Sequence, residues 1–188
     1  RVLAEWLADS DLADPILVGH DFGGATVMGA HLEEHARVKA ICVSDGVILS
    51  PWGTPFSRHV KEHEETFADV PEYIHRAVLE AHLRTAVTHQ LPQSVLDRLI
   101  APWLGKEGQR AYYRQVGQYD YEYTQKLEKL YPSVTIPTVV FWGEEDRWVD
   151  ISEGKRFSQL LPDASLRTLP DAGHFVMLDA PGLFARYL

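Results

Sequence analysis

Apolar residues are arranged along this chain in two ways. Short continuous apolar runs occur at residues 15–19, 38–44, 138–142 and 165–169, each ending in a polar or glycine-containing turn. Runs of this length suit strands, and the first has the composition of a strand covered on both faces in a parallel sheet. The remaining pattern predicts helices over 1–8, 23–35 and 152–161, with a polar loop at 9–14. From Pro51 to Pro132 no convincing strand occurs. Helices are expected there at 55–68, 70–88, 92–103, 106–117 and 119–131, punctuated by Pro71, Pro92 and Gly105. Strand, helix, strand at the start of the chain, with a crossover of this length, implies parallel pairing. The expected class is therefore α/β with a mostly parallel sheet, divided into an α/β part at 1–46, a helical insertion at 47–134 and a second α/β part at 135–188. No internal repeat or low-complexity segment is present.

The strand at 15–19 runs into Gly19-His20-Asp21-Phe22-Gly23-Gly24. This has the shape G-x-D-x-G, the nucleophile-elbow pattern G-x-S-x-G with an aspartate at its centre. Flanking glycines allow a tight, strained turn that pushes the central side chain above the sheet edge. The simpler reading is an aspartate that caps the following helix. Two later strands also end in chemistry-bearing residues, in Trp142-Gly143-Glu144-Glu145-Asp146 and in Gly173-His174-Phe175. Ligands bind outside the carboxyl ends of strands in open α/β sheets, where Asp21, Asp146 and His174 would all be delivered.

Composition narrows the partners. A formal net charge of −9 and no Lys/Arg run argue against nucleic acid. The one cysteine, Cys42, lies in an apolar run, cannot form an internal disulfide and suits a reducing compartment. No run approaches the ~18 to 20 apolar residues of a membrane span, and no signal pattern opens the chain. A cytoplasmic location with no membrane partner is the expectation. The first residues, Arg1 to Leu7, begin in mid-pattern, like the interior of an amphipathic helix, and lack Met.

The three motifs, in this order, resemble the α/β-hydrolase fold in the branch of epoxide hydrolases and haloalkane dehalogenases that use an aspartate nucleophile. The resemblance implies the C-terminal half of that family's sheet, with 47–134 as a helical cap over the active site. It implies Asp21 as nucleophile, His174 as base and Asp146 as its orienting acid. Asp45, after the strand that precedes the cap, is the alternative acid, although Asp45-Gly46 also reads as an ordinary turn. The backbone N–H of Phe22 would stabilise the anion. The family's upstream strands and second anion-stabilising loop have no counterpart here, so the elbow strand would lie at an open edge of what reads as a fragment of a longer enzyme.

The implied substrate is small and mostly apolar, consumed with water through an aspartyl ester. Phe22 lacks the indole donor that dehalogenases commonly place after the nucleophile. Tyr113, in Tyr112-Tyr113-Arg114, resembles the cap tyrosine with which epoxide hydrolases activate the ring oxygen. The epoxide reading therefore leads and the halide reading follows, with Trp52 and Trp103 as possible pocket walls or halide donors. Tyr112, Tyr119, Tyr121 and Tyr123 crowd the same region, and all of these tyrosines could simply pack. The alternative is a catalytically impaired ligand-binding or structural fragment. His31-Leu32-Glu33-Glu34-His35 matches a zinc signature, H-x-x-E-H, but stands at the far end of the elbow helix with no evident third ligand. His59 and His63 are judged in the same way. Gly19 to Gly24 lacks both the Lys-Ser/Thr of a P-loop and dinucleotide spacing, so neither a metal nor a cofactor is expected.

Overall fold

The computed structural model describes all 188 residues. Four strands, β1 (Ile16–His20), β2 (Ala40–Ser44), β3 (Thr138–Gly143) and β4 (Ala164–Leu169), form one parallel sheet in the order β1-β2-β3-β4. The registers pair Val18 with Cys42, Val43 with Val140 and Phe141 with Arg167. Helix α1 (Val2–Asp9) precedes the sheet, and α2 (Phe22–Leu32) crosses from β1 to β2. Between β2 and β3 come α3 (Pro55–Glu62), α4 (Glu64–Ala68), α5 (Glu72–Arg84), α6 (Gln93–Ile100), α7 (Gly105–Gly117) and α8 (Tyr121–Glu128). Helix α9 (Ile151–Leu160) links β3 to β4, and α10 (Val176–Asp179) and α11 (Pro181–Tyr187) close the chain. No helix is long and apolar enough to cross a membrane.

Alternation along the strands sends side chains to two cores. Leu17, Ile41, Val43, Val140 and Trp142 meet α2, α8 and α9 in the larger one, while Cys42 and Phe141 meet Leu169, Ala172 and Val176 on the opposite face. The second core stops short of β1. Ile16 and Val18 are 54% and 47% exposed, so the strand expected to be covered on both faces is covered on one. The expected open edge is present, because β1 pairs only with β2.

Helices α3 to α7 have a core of their own, made of Val60, Leu79, Leu83, Leu96, Ile100, Tyr112 and Tyr113. The segment after them behaves differently: Leu127, Tyr131 and Val134 join the core beneath the sheet. Several boundaries depart from the sequence pattern. The helix expected over 55–68 breaks at His63, whose φ of −133° and ψ of 31° are not helical. The helix expected to reach 88 stops at Arg84, where Thr85 turns its hydroxyl onto the His82 carbonyl. This exit frees Ala86 to accept a hydrogen bond from Phe175 N–H at 2.8 Å, fastening the helical region to the loop that carries His174. Finally, β2 begins at Ala40 rather than 38.

Tight packing under the site makes one glycine testable. A Cβ on Gly154 of α9 would lie 2.5 Å from the ring of Trp142, which is fully buried. Gly154→Ala should lower stability by about 1–3 kcal/mol, the usual range for overpacking. A drop in the urea midpoint at unchanged m-value would register it. Gly182→Ala, where a Cβ meets nothing within 4 Å, should cause no loss.

Candidate active site

The turn after β1 shows why the glycines are there. Asp21 has φ 53° and ψ −126°, a conformation that L-residues rarely adopt. It is held by hydrogen bonds from Asp21 N to Ser44 O, from Gly24 N to Asp21 O and from Val47 N to Asp21 O. A Cβ on Gly19 would come within 2.3 Å of the Gly23 carbonyl oxygen, so only glycine permits this approach. The bend delivers the Asp21 side chain to the carboxyl end of the sheet with 26% of its surface open.

Three side chains then meet in line. Asp21 Oδ2 lies 2.8 Å from His174 Nε2, and His174 Nδ1 lies 2.9 Å from Asp146 Oδ2. Asp146 is fixed through its other oxygen, which accepts the backbone N–H groups of Trp148 at 2.7 Å and Val149 at 3.0 Å. Asp21 Oδ1 accepts from Phe22 N–H at 2.5 Å. Aspartate at 21 does therefore cap α2, as the simpler reading expected, and it does so while facing His174. The His174 carbonyl lies 2.8 Å from Nε2 of His20, which packs its ring 4.7 Å from the His174 ring.

Charge at this cluster is lopsided. Burial opposes a charge on His174, but hydrogen bonds and attraction from Asp146 and Asp21 outweigh it, and the imidazole is pushed up to about 10. Burial opposes the charge on Asp21 as well, and the His174 contacts overcome it, so its carboxyl lies below the usual range. The opposite shifts describe an ion pair between Asp21 and His174. The folded His174 value lies above its ordinary 6.5, so its contribution to stability is complete below that pH and fades as pH rises through about 10.

Asp45, the alternative acid, does not reach His174. Its carboxyl accepts from Gly143 N–H at 2.8 Å and from Ser44 Oγ at 2.7 Å, tying β2 to β3. Burial and the neighbouring Asp146 charge raise it to about 8. Tyr113 likewise stands apart from the nucleophile. It is fully buried, and its phenol donates to His75 Nδ1 at 3.0 Å while His75 Nε2–H binds the Trp103 carbonyl at 2.9 Å. The tyrosine on the cavity wall is its neighbour Tyr112.

That cavity opens directly above Asp21. It holds about 380 Å³ and is walled by Phe22, Leu83, Leu99, Trp103, Val116 and Phe175, with His20, His82, Tyr112 and Trp148 as its main polar-edged rings. Trp103 therefore is a wall residue. Trp52 lies in smaller adjoining hollows, and its indole N–H is committed to Thr124 Oγ1 at 3.2 Å. Tyr119 stacks on Trp52 and bonds Ser57, while Tyr121 donates to the Trp52 carbonyl at 2.7 Å. Sequence reasoning missed His82 and Trp148. The buried stripe His75, Leu79, Leu83 on α5 was a signal for the first, since His82 falls beside it.

The proposed zinc signature does not assemble as a helical pair. Helix α2 ends at Leu32, His35 takes a positive φ of 57°, and His31 Nδ1 lies 3.2 Å from the Ala36 carbonyl. The histidines whose ring nitrogens do approach each other are His59 and His63, which with Glu62 form an exposed group on the outer surface of α3.

The sequence profile of the alpha/beta hydrolase family matches residues 1–187. The chain belongs to the α/β-hydrolase family. An alpha/beta hydrolase fold protein from Burkholderia ambifaria superposes with a TM-score of 0.95 at 34% identity, over 99% of this chain and 69% of that one. Among curated proteins the chain is 24% identical to the uncharacterized hydrolase YugF of Bacillus subtilis, over 92% of its own length and 63% of YugF. It is 25% identical to the sn-1-specific diacylglycerol lipase ABHD11 of Mus musculus, over 88% of its own length and 55% of the lipase. The chain thus spans about half to two-thirds of the length of these curated relatives. Within this α/β-hydrolase, the ion pair predicts its own titration. Nitrogen NMR should find the His174 ring titrating near 10, falling in Asp21→Asn and falling further in Asp146→Asn, the larger contributor.

Proposed function

We propose that this α/β-hydrolase acts through an aspartyl-ester intermediate on a small, mostly apolar substrate bearing a leaving group on saturated carbon, an epoxide or an alkyl halide. The observation that carries this reading is the hydrogen-bonded line Asp21–His174–Asp146 opening on an apolar cavity. A carboxylate needs no base to become a nucleophile. Acyl transfer to a serine hydroxyl, the chemistry of the G-x-S-x-G pattern, is not available to Asp21, so the lipase named among the relatives supports the scaffold rather than the step.

The two oxygens of Asp21 have different surroundings, and that divides their work. Oδ1 is anchored on Phe22 N–H, and Oδ2, which faces His174 Nε2 at 2.8 Å, attacks carbon as it leaves that contact and the bond to the leaving group breaks. The product is an ester whose carbonyl oxygen is Oδ1. Water then adds to that carbonyl, His174 takes the proton, and the oxyanion forms on Oδ1 against the Phe22 amide, a contact of the kind worth about 3 kcal/mol. Collapse breaks the bond between the carboxyl carbon and Oδ2, His174 gives the proton to the departing alkoxide, and the new Asp21 carboxyl, holding one oxygen from water, passes its own proton to His174 to restore the ion pair.

His174 must change role between the two halves. Alkylation removes the negative charge of Asp21, one of two charges that keep the imidazole protonated, so its proton affinity falls and it releases that proton to solvent before it serves as a base. Asp146, fixed by the Trp148 and Val149 amides, holds the ring in place.

His174→Gln incubated with candidate epoxides and alkyl halides should accumulate an adduct on Asp21, seen by intact mass and peptide mapping. Asp21→Ala should form none and lose turnover by a factor of at least about 10³. Adduct on another residue, or turnover surviving in Asp21→Ala, would sink the reading. If the second possibility holds, and the chain binds ligands without turning them over, ligands will protect the fold while no adduct appears.

A further inference from the structure

The roof of the cavity contains one polar pair that the mechanism above leaves unused. His82, near the end of α5, lines both hollows that touch Asp21, together with Phe22, Val116 and Trp148. Its Nδ1 lies 2.5 Å from the hydroxyl of Tyr112 on α7. Its ring stacks on Trp148, with centroids 4.2 Å apart and planes 15° from parallel, and Phe56 packs on it at 4.6 Å. Trp148 is held in turn, its indole N–H donating to Thr85 Oγ1 at 2.8 Å.

These contacts decide where the imidazole carries its proton. Tyr112 is buried, and His82 Nδ1 is the one hydrogen-bond partner its hydroxyl has within the protein. A buried O–H without an acceptor costs about 1–3 kcal/mol. The phenol therefore donates to Nδ1, which must be unprotonated, and the proton of the neutral ring resides on Nε2. Nε2 has no partner in the protein. Burial keeps the ring neutral, lowering it to about 4.

We propose that His82 Nε2–H, aimed by Tyr112 and clamped against Trp148, is the donor that holds the leaving group as Asp21 displaces it. The ligand it suits is the departing atom itself, a halide or ring oxygen that gains negative charge as the bond to carbon breaks. A neutral donor gains strength as that charge develops, whereas a charged imidazolium there would compete with His174 for Asp21. No proton needs to transfer for a halide to leave. For an epoxide, the developing alkoxide is hydrogen-bonded by Nε2–H and takes a proton from water, the hydroxide left being neutralised by the proton that His174 releases on alkylation of Asp21. Tyr112 is a positioning residue in this scheme, and the activation of the ring oxygen that the resemblance implied for Tyr113 passes to His82.

The assignment rests on Asp21 as the nucleophile, so its test has one arm that needs no covalent chemistry. Nitrogen NMR of the otherwise unaltered protein should show the His82 ring as the Nε2–H tautomer, with the Nε2–H resonance shifting on titration with bromide. His82→Phe should abolish bromide binding measured by calorimetry. The second arm follows adduct formation on Asp21 in a His174→Gln background. His82→Phe should slow it on the order of 10²-fold, more for chloroalkanes than for the corresponding iodoalkanes, and His82→Gln should recover part of the rate through its amide donor. A purely structural role would slow all leaving groups alike. An Nδ1–H tautomer with bromide binding unchanged in His82→Phe, or a loss independent of leaving group, would overturn the assignment. Bromide binding at His82 without any adduct on Asp21 would instead overturn the nucleophile and leave the donor standing.

Discussion

A histidine ring shielded from water lies between two carboxylates, and each of the three side chains arrives at the end of, or just beyond, a different strand. That convergence requires the strands to be parallel and their carboxyl ends level, because in an antiparallel sheet adjacent ends would face opposite ways. Burial and charge then work against each other at His174. Asp146 and Asp21 together push the ring up against burial, and the ring, with His20 and the Phe22 amide, holds the Asp21 carboxyl below its usual range. Fold and chemistry are therefore coupled through a single imidazole.

Around this centre the carboxylates divide by environment. Asp146 spends one oxygen on two backbone amides and the other on His174, so its orientation is fixed from both sides. Asp45 has a similar position on the neighbouring strand, but its contacts run sideways to Gly143 and Ser44. It sits within the field of Asp146 and is held protonated more readily than an ordinary aspartate. A second ionised acid beneath the first would weaken the first, so the hydrogen-bonding of Asp45 keeps the strands together at little electrostatic cost.

Much of this was legible in the sequence because the relevant signals are local. A continuous apolar run, a glycine-flanked acid and a Gly-His turn identify Asp21, Asp146 and His174 without reference to distant contacts. The cavity wall is another matter. It is assembled from α5, the turn after α6 and α7, and which face of each helix looks inward depends on how they pack. Neighbouring residues on a helix point roughly 100° apart, which is why Tyr113 went to His75 and Tyr112 to the cavity. His82 carried only a weak mark beside an apolar stripe, and Trp148 none, since its role comes from rings supplied by other parts of the chain. The exposed face of β1 was misread for a related reason: a run of apolar residues records what a strand can bury, not which neighbours cover it.

The uncovered face of β1 has a consequence for how the molecule loses function. The two central strands are hydrogen-bonded on both sides, whereas β1 and β4 each have one partner, and β1 leaves Ile16 and Val18 facing water. Local opening is easiest where such support is thinnest. Asp21 thus follows one edge strand and His174 the other, while Asp146 follows β3, which is paired on both sides. Separation of either edge strand would part Asp21 from His174 and end the chemistry while β2 and β3 stay paired.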